Sequence, residues 1–179
     1  MAGTEEGNMS EKSRPLVGIV VGSDTDLPVM TETAQTLKKF GVPCEIEISS
    51  AHRSPARTAE YARTASARGL KVIIVAAGGA AHLGGVIAAE TTLPVIGVPM
   101  ATTTLGGLDA LLSMVQMPGG VPVASMAIGK AGAINAAVLA VEILATSDAS
   151  LAKKLAEYKE ELARTVAAKS AKVKRGSEA

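Results

Sequence analysis

From Pro15 onward, apolar residues follow two alternating spacings. Short β-branched runs bounded by Gly or Pro predict strands at "LVGIVVG" (Leu16–Gly22), "VIIVAA" (Val72–Ala77), "PVIGVP" (Pro94–Pro99) and "VPVASMAI" (Val121–Ile128). "CEIEI" (Cys44–Ile48) alternates apolar with charged and predicts a further strand. Between these runs the spacing turns helical. Met30, Ala34, Leu37 and Phe40 share one face of a segment beginning at Leu27, and Gly41 is its stop. Ser54–Gly69 opens with a Ser cap and Pro at the first helical position. Shorter helices are predicted at "LGGVIAAETT" (from Leu83) and at Leu108–Met117.

Ala131–Ala145 is apolar almost all round, the pattern of a buried helix. It is too short, and Asn135 and Glu142 too polar, for a membrane span. Leu151, Leu155, Tyr158, Leu162 and Val166 then form the stripe of a Lys/Glu-rich helix that frays into "AKSAKVKRGSEA". The predicted organisation is a disordered polar lead (1–14), one α/β domain (15–147), and a C-terminal amphipathic helix and tail (148–179). Continuously apolar strands alternating with helices imply a parallel sheet covered on both faces. Right-handed crossovers make it a three-layer, doubly wound α/β fold of flavodoxin-like strand order.

Composition narrows the function. The net charge of +1 supplies no field for nucleic acid or anionic lipid. One Phe, two Tyr and no Trp leave little on which bases could stack. A single cysteine, Cys44, excludes an intrachain disulfide and fits a reducing cytoplasm; "MAGTEEGNMSEKSR" has no apolar secretory core.

In open α/β sheets, ligands bind beyond the carboxyl ends of the strands. The loops there read "GSDTDLP", "SSAHRSP", "AGGAAHLGG" and "PMATTTLGGLD", and they hold both histidines of the chain together with Asp24, Asp26, Arg53 and Asp109. Some of this has a structural reading: Thr25 or Asp26 as a helix cap, the glycines around His82 as a tight turn. "GSDTDLP" is neither a Walker A nor a GxGxxG loop. In "SSAHRSP", small neighbours leave His52 open space rather than packing partners. An imidazole, with its usual pKa of about 6.5, both gives and takes a proton near neutrality. Arg53 at a helix start can fork onto a phosphate or carboxylate. Two histidines and one cysteine on separate loops make no convincing metal site.

Taken together, "GSDTD", "SAHRSP", "GGAAHL", "LPVIGVP", "QMPGGVPVA" and "AIGKAGAINAA" resemble the N5-carboxyaminoimidazole ribonucleotide mutases of purine synthesis, in order from about Val17 to Leu144. The resemblance implies a flavodoxin-like subunit in a homo-octamer with sites at subunit junctions, a small ribonucleotide substrate, and no metal or other cofactor. It implies that His52 is the general acid and base. It further implies that Ser23, Thr25, Asp26 and Arg53 hold the ribonucleotide. Phosphate would lie on the Ser23/Arg53 side, with Asp26 at ribose hydroxyls or a ring nitrogen. Ser50, Ala51, Gly78, Gly79, Ala80, His82 and Leu83 would line the pocket for base and CO2. The chain departs from the family pattern at Thr25 (usually Ser), Ser54 (usually Thr), Gly84 (usually Pro, so a looser turn is expected) and Ala110 (usually Ser).

A second branch of that family carboxylates aminoimidazole ribonucleotide directly with CO2, and has Lys where this chain has Arg53. Arg53, Ser54 and Pro55 therefore favour the mutase branch. A flavodoxin-like module binding FMN or a nucleotide is the alternative of another class, weakened by the lack of any rim aromatic to stack on a flavin. A purely structural assembly protein, suggested by the Ala131–Ala145 helix, is the remaining one.

Overall fold

The computed structural model describes residues 14–177; the predicted lead, apart from Arg14, lies outside them. Among these residues five parallel strands form one sheet in the order β2-β1-β3-β4-β5. The strands are β1 (Val17–Val21), β2 (Cys44–Ile48), β3 (Val72–Gly78), β4 (Val95–Met100) and β5 (Ala124–Ser125). The helices are α1 (Leu27–Phe40), α2 (Pro55–Ala65), α3 (Leu83–Glu90), α4 (Leu108–Val115), α5 (Lys130–Ala145) and α6 (Ala149–Ser177). Helices cover both sheet faces, giving the flavodoxin-like α/β fold.

The described residues divide into two compact units, one up to Ala140 and one from Val141. In the first, β1 and β4 are wholly buried and β3 is buried up to Gly78, which is why they read as continuous apolar runs. On one face, Val20, Ile73, Val75 and Val95 join Ala62 and Ala65 of α2, Ile87 of α3 and Met114 of α4 in a single core. The alternate residues Ile19, Val21, Ile74, Ala76, Ile96 and Val98 are buried as well, toward α1 and α5. There Thr33 Oγ1 donates to the Ala133 carbonyl at 2.8 Å. Thr33 and Thr36 fill the α1 face that the apolar spacing assigned partly to Ala34, which is only half-buried. Each threonine hydroxyl finds a carbonyl, so burial leaves no polar atom stranded. Gly41 ends α1 in the left-handed conformation (φ 77) and donates to Leu37 and Lys38 carbonyls.

Edge strand β2 is held to α2 by polar groups. Tyr61 Oη donates to Glu45 at 2.8 Å, Arg68 stacks over the Tyr61 ring at 4.6 Å, and Arg57 pairs with Glu47. The second unit carries Leu151 and Leu155 buried on α6, an ion pair from Lys159 to Glu142 at 3.3 Å, and exposed Leu162, Val166 and Val173.

Three expectations change. The fifth strand is two residues long, not eight: Pro118, Gly119, Gly120 and Pro122 lead into it, and proline contributes no ladder N–H. Helix α6 does not fray from Ala168 but runs to Ser177, since its Ala, Lys and Arg are strong helix formers without an apolar stripe. Helix α5 buries one side, through Ala133, Ala136, Ala137 and Ala140, while Asn135 is exposed.

Candidate active site

The order β2-β1-β3 reverses direction at β1, and the crevice outside that switch point is where ligands bind in this topology. A cavity of about 340 Å³ occupies it, at the lower end of the usual range for small-molecule sites.

The loop after β1 is shaped by Ser23. Its backbone is extended, and its Oγ accepts from Thr25 N (3.4 Å) and Thr25 Oγ1 (3.0 Å) while donating to Asp24 (3.0 Å). A turn of 3-10 helix, Asp24–Asp26, leads into α1. Asp26 occupies the N-cap of α1, yet its side chain bonds no helix amide, so the capping role open to it in the sequence goes unused. It is 3% exposed. Burial, reinforced by the neighbouring Asp24 charge, pushes its carboxyl above the ordinary aspartate range. A buried acid without a helix to cap is available to a ligand.

The loop after β2 is fastened at both ends. Buried Ser49 Oγ lies 2.8 Å from Thr58 Oγ1 on α2. Ser54, at the N-cap of α2, turns its hydroxyl away from the helix amides: it donates to the Ser50 carbonyl (3.0 Å) and accepts from Ser50 N (3.1 Å). The serine expected to cap α2 therefore closes the loop that presents His52 and Arg53. Ser50 Oγ accepts from Arg53 N (3.2 Å) and Nε (3.5 Å), and Arg53 Nη2 donates to the Gly22 carbonyl (3.2 Å). These bonds lay the guanidinium across the β1 end of the cavity.

After β3, Gly79 takes a left-handed conformation (φ 58), and two short backbone bonds, Ala81 N to Gly79 O and His82 N to Ala80 O, coil the chain into α3. His82 stands at the N-cap of α3 with its Nδ1 2.9 Å from His52 Nε2, the rings nearly perpendicular at 82°. Gly84, the departure from the family proline, is buried in the first turn of α3; a Cβ there would meet Val75 Cγ2 at 3.2 Å and Val123 Cγ1 at 3.4 Å. Turn and helix start are thus held by packing and backbone bonds.

Of the twelve residues singled out in the sequence, Ser23, Thr25, Asp26, Ser50, Ala51, His52, Arg53, Gly78, Ala80 and Leu83 line the cavity. Gly79 and His82 do not; Gly79 shapes the turn and His82 bonds to His52. The cavity also contains Gly22, Ala77 and Thr102, which sequence reasoning had not named. Thr102 sits in the rim loop after β4, and the only hint of its role was that loop's position. Among the described residues, no cluster of three or more His, Cys, Asp or Glu is placed to hold a metal ion, and no helix is long and apolar enough to cross a membrane.

A family model described as AIR carboxylase matches residues 16–165. The chain is 57% identical over 152 residues to a Thermotoga maritima protein named N5-carboxyaminoimidazole ribonucleotide mutase, covering 85% of this chain and 88% of the relative. It is 56% identical over 153 residues to the Bacillus subtilis protein of the same name (86% and 94%). Among solved structures, Treponema denticola PurE superposes with a TM-score of 0.80 at 28% identity, covering 89% of this chain and 98% of that one.

Proposed function

Because the chain belongs to the AIR carboxylase family, we propose that it is an N5-carboxyaminoimidazole ribonucleotide mutase of purine biosynthesis, working in the cavity at the ends of β1 to β4. The observation that carries this reading is the identity of 57% to a relative bearing that name, spread over 85% of the chain.

The reaction moves a carboxylate from the exocyclic nitrogen N5 to ring carbon C4. The C–N bond of the carbamate breaks, CO2 leaves, and N5 takes up a proton. C4 then attacks the retained CO2, and the proton on C4 is removed. No electron pair leaves the substrate overall, and one proton passes from C4 to N5. A single imidazole can serve both steps, acid in the first and base in the second, when the site keeps water and bulk protons away. His52 fills this role, on a loop of small residues that leave space for the ring and CO2. Arg53 and the Ser23–Thr25 turn hold the phosphate. Asp26 meets the ribose hydroxyls or a ring nitrogen, and Ala51, Gly78, Ala80 and Leu83 line the space for base and CO2.

The subunit assembles as a homo-octamer in the cytoplasm. Supporting assembly, Leu105, Leu108, Leu112 and Val115 expose one apolar side of α4 and its approach. Sedimentation at micromolar concentration measures the assembly directly.

The deciding experiment compares N5-carboxyaminoimidazole ribonucleotide with aminoimidazole ribonucleotide plus bicarbonate. Turnover of the first, without added bicarbonate, is the expected result. Turnover only of the second would make the chain a direct carboxylase.

A further inference from the structure

We infer that Thr102 is a specificity residue, its hydroxyl donating a hydrogen bond to the migrating carboxylate. The inference rests on the mutase reading and assigns a contact at the far end of the same cavity.

The two ends of the cavity differ in charge. At the β1/β2 end lies Arg53, anchored to Ser50 and the Gly22 carbonyl. At the β3/β4 end the lining is Gly78, Ala80 and Thr102, with no cation. A phosphate takes the guanidinium end, which directs the imidazole and its carboxylate to the other. Proton transfer belongs at that same end. His52, although on the β2 loop, leans toward it, since its Nε2 meets His82 at the start of α3.

A carboxylate arriving there needs a donor. Ser23 and Thr25 give their hydroxyl protons to Asp24 and Ser23, and Ser50 Oγ is held at the β1/β2 end as the acceptor of Arg53 N and Nε. Thr103 is also committed, donating to Asp109 Oδ2 (2.8 Å) and accepting from Leu105 N (3.3 Å). Among the described residues, only Thr102 brings a side-chain hydroxyl without a protein partner to the cavity.

The backbone accommodates it specifically. Gly78 pairs in register with Met100, so the residue two positions beyond Met100 folds back over Gly78. A Cβ on Gly78 would overlap Thr102 Oγ1 and lie 3.0 Å from Thr102 Cβ. Glycine at 78 is therefore what lets the hydroxyl approach the cavity floor.

The test is Thr102→Val, which keeps the shape and removes the donor, read by calorimetric binding of two ligands: the C4-carboxylated ribonucleotide and aminoimidazole ribonucleotide, which has no carboxylate. A hydrogen bond to a charged group predicts roughly 10-fold or greater weakening for the carboxylated ligand. Affinity for aminoimidazole ribonucleotide stays unchanged, and Thr102→Ser recovers most of the loss. Unchanged affinity for the carboxylated ligand, or equal weakening of both, would overturn this inference alone. Wild-type protein that binds neither ligand would overturn it together with the mutase reading.

Discussion

His52 Nε2 lies 2.9 Å from His82 Nδ1, a hydrogen bond between two imidazoles thirty positions apart in the chain. Only one of the two nitrogens can carry the shared proton. If it sits on Nε2 of His52, the other nitrogen of that ring, Nδ1, is free to give a proton and then take one back. If it sits on His82, neutral His52 has its own proton on Nδ1 and cannot act there as a base. Two-step proton traffic through His52 would thus need His82 as the acceptor, a positioning role rather than that of a second acid.

Replacing the two histidines should separate these roles. His52→Asn is expected to lower kcat by about 10²- to 10⁴-fold, the usual contribution of a general acid–base group, with ligand binding retained. His82→Phe should lower kcat by a smaller factor, while His82→Gln, whose side-chain oxygen can still accept, should recover part of the loss. Initial-rate kinetics of the three variants supply the check, with recovery by Gln but not by Phe marking the acceptor role. Unchanged kcat in His52→Asn would remove His52 from the chemistry.

Arg53→Ala should act on affinity. With the guanidinium gone, KM is expected to rise by about 10- to 100-fold with a smaller change in kcat, the pattern of a contact present in both ground and transition states. Arg53→Lys should recover only part, because a point charge cannot reproduce the fork that now spans Ser50 and Gly22. Initial-rate kinetics on the three proteins decide the matter. A kcat effect without a KM effect would place Arg53 in the chemical step.

Asp26 is buried at a cost in stability. Its carboxyl is raised above the ordinary range by burial and then by Asp24. The folded state therefore holds the proton more tightly than the unfolded chain. Stability accordingly falls as pH rises from the unfolded aspartate value of 3.8 through the raised folded value, and the penalty is complete above it. Asp26→Asn removes the penalty. At neutral pH its Tm should exceed that of wild type while KM rises about 10-fold. At a pH below 3.8 the Tm advantage should vanish. An Asn variant less stable than wild type at neutral pH would mean that Asp26 is held by favourable interactions.

Much of this arrangement is legible in the chain, and the rest has physical reasons for being hidden. The β-branched runs of β1, β3 and β4 declare buried parallel strands, and a parallel sheet places Ser23, His52, Gly78 and their loops on one rim. The fifth strand is misread because "VPVASMAI" has strand composition, although only Ala124 and Ser125 pair in register with β4. Capping is misread for Ser54, and the cap open to Asp26 goes unused, since residue type does not say where a side chain turns; Ser54 chooses Ser50. Thr102 is invisible because its role depends on the Gly78–Met100 register, a tertiary fact with no local signature.

The last prediction concerns how the edge of the sheet steadies the His52 loop. Tyr61 on α2 donates to Glu45 on β2, and its ring covers Gly18 of β1. A Cβ on Gly18 would overlap the Tyr61 hydroxyl but stand 3.3 Å from Cζ and 3.0 Å from Leu70 Cδ1. Gly18→Ala alone should therefore cost about 1–3 kcal/mol by overpacking and by displacing the hydroxyl from Glu45. Tyr61→Phe alone should cost about 1 kcal/mol, the net worth of one hydrogen bond, because Glu45 keeps its pairing with Arg68. In the double variant the overlapping atom is gone and only the tight contacts remain. The two costs should consequently fall short of additivity by at least about 0.5 kcal/mol, which denaturant unfolding resolves. Strict additivity would show that Tyr61 swings aside without resistance, and that the Glu45 bond does not hold α2 against the strand. If the lock is real, Gly18→Ala should also lower kcat more than Tyr61→Phe does, since α2 begins directly after the loop that carries His52 and Arg53.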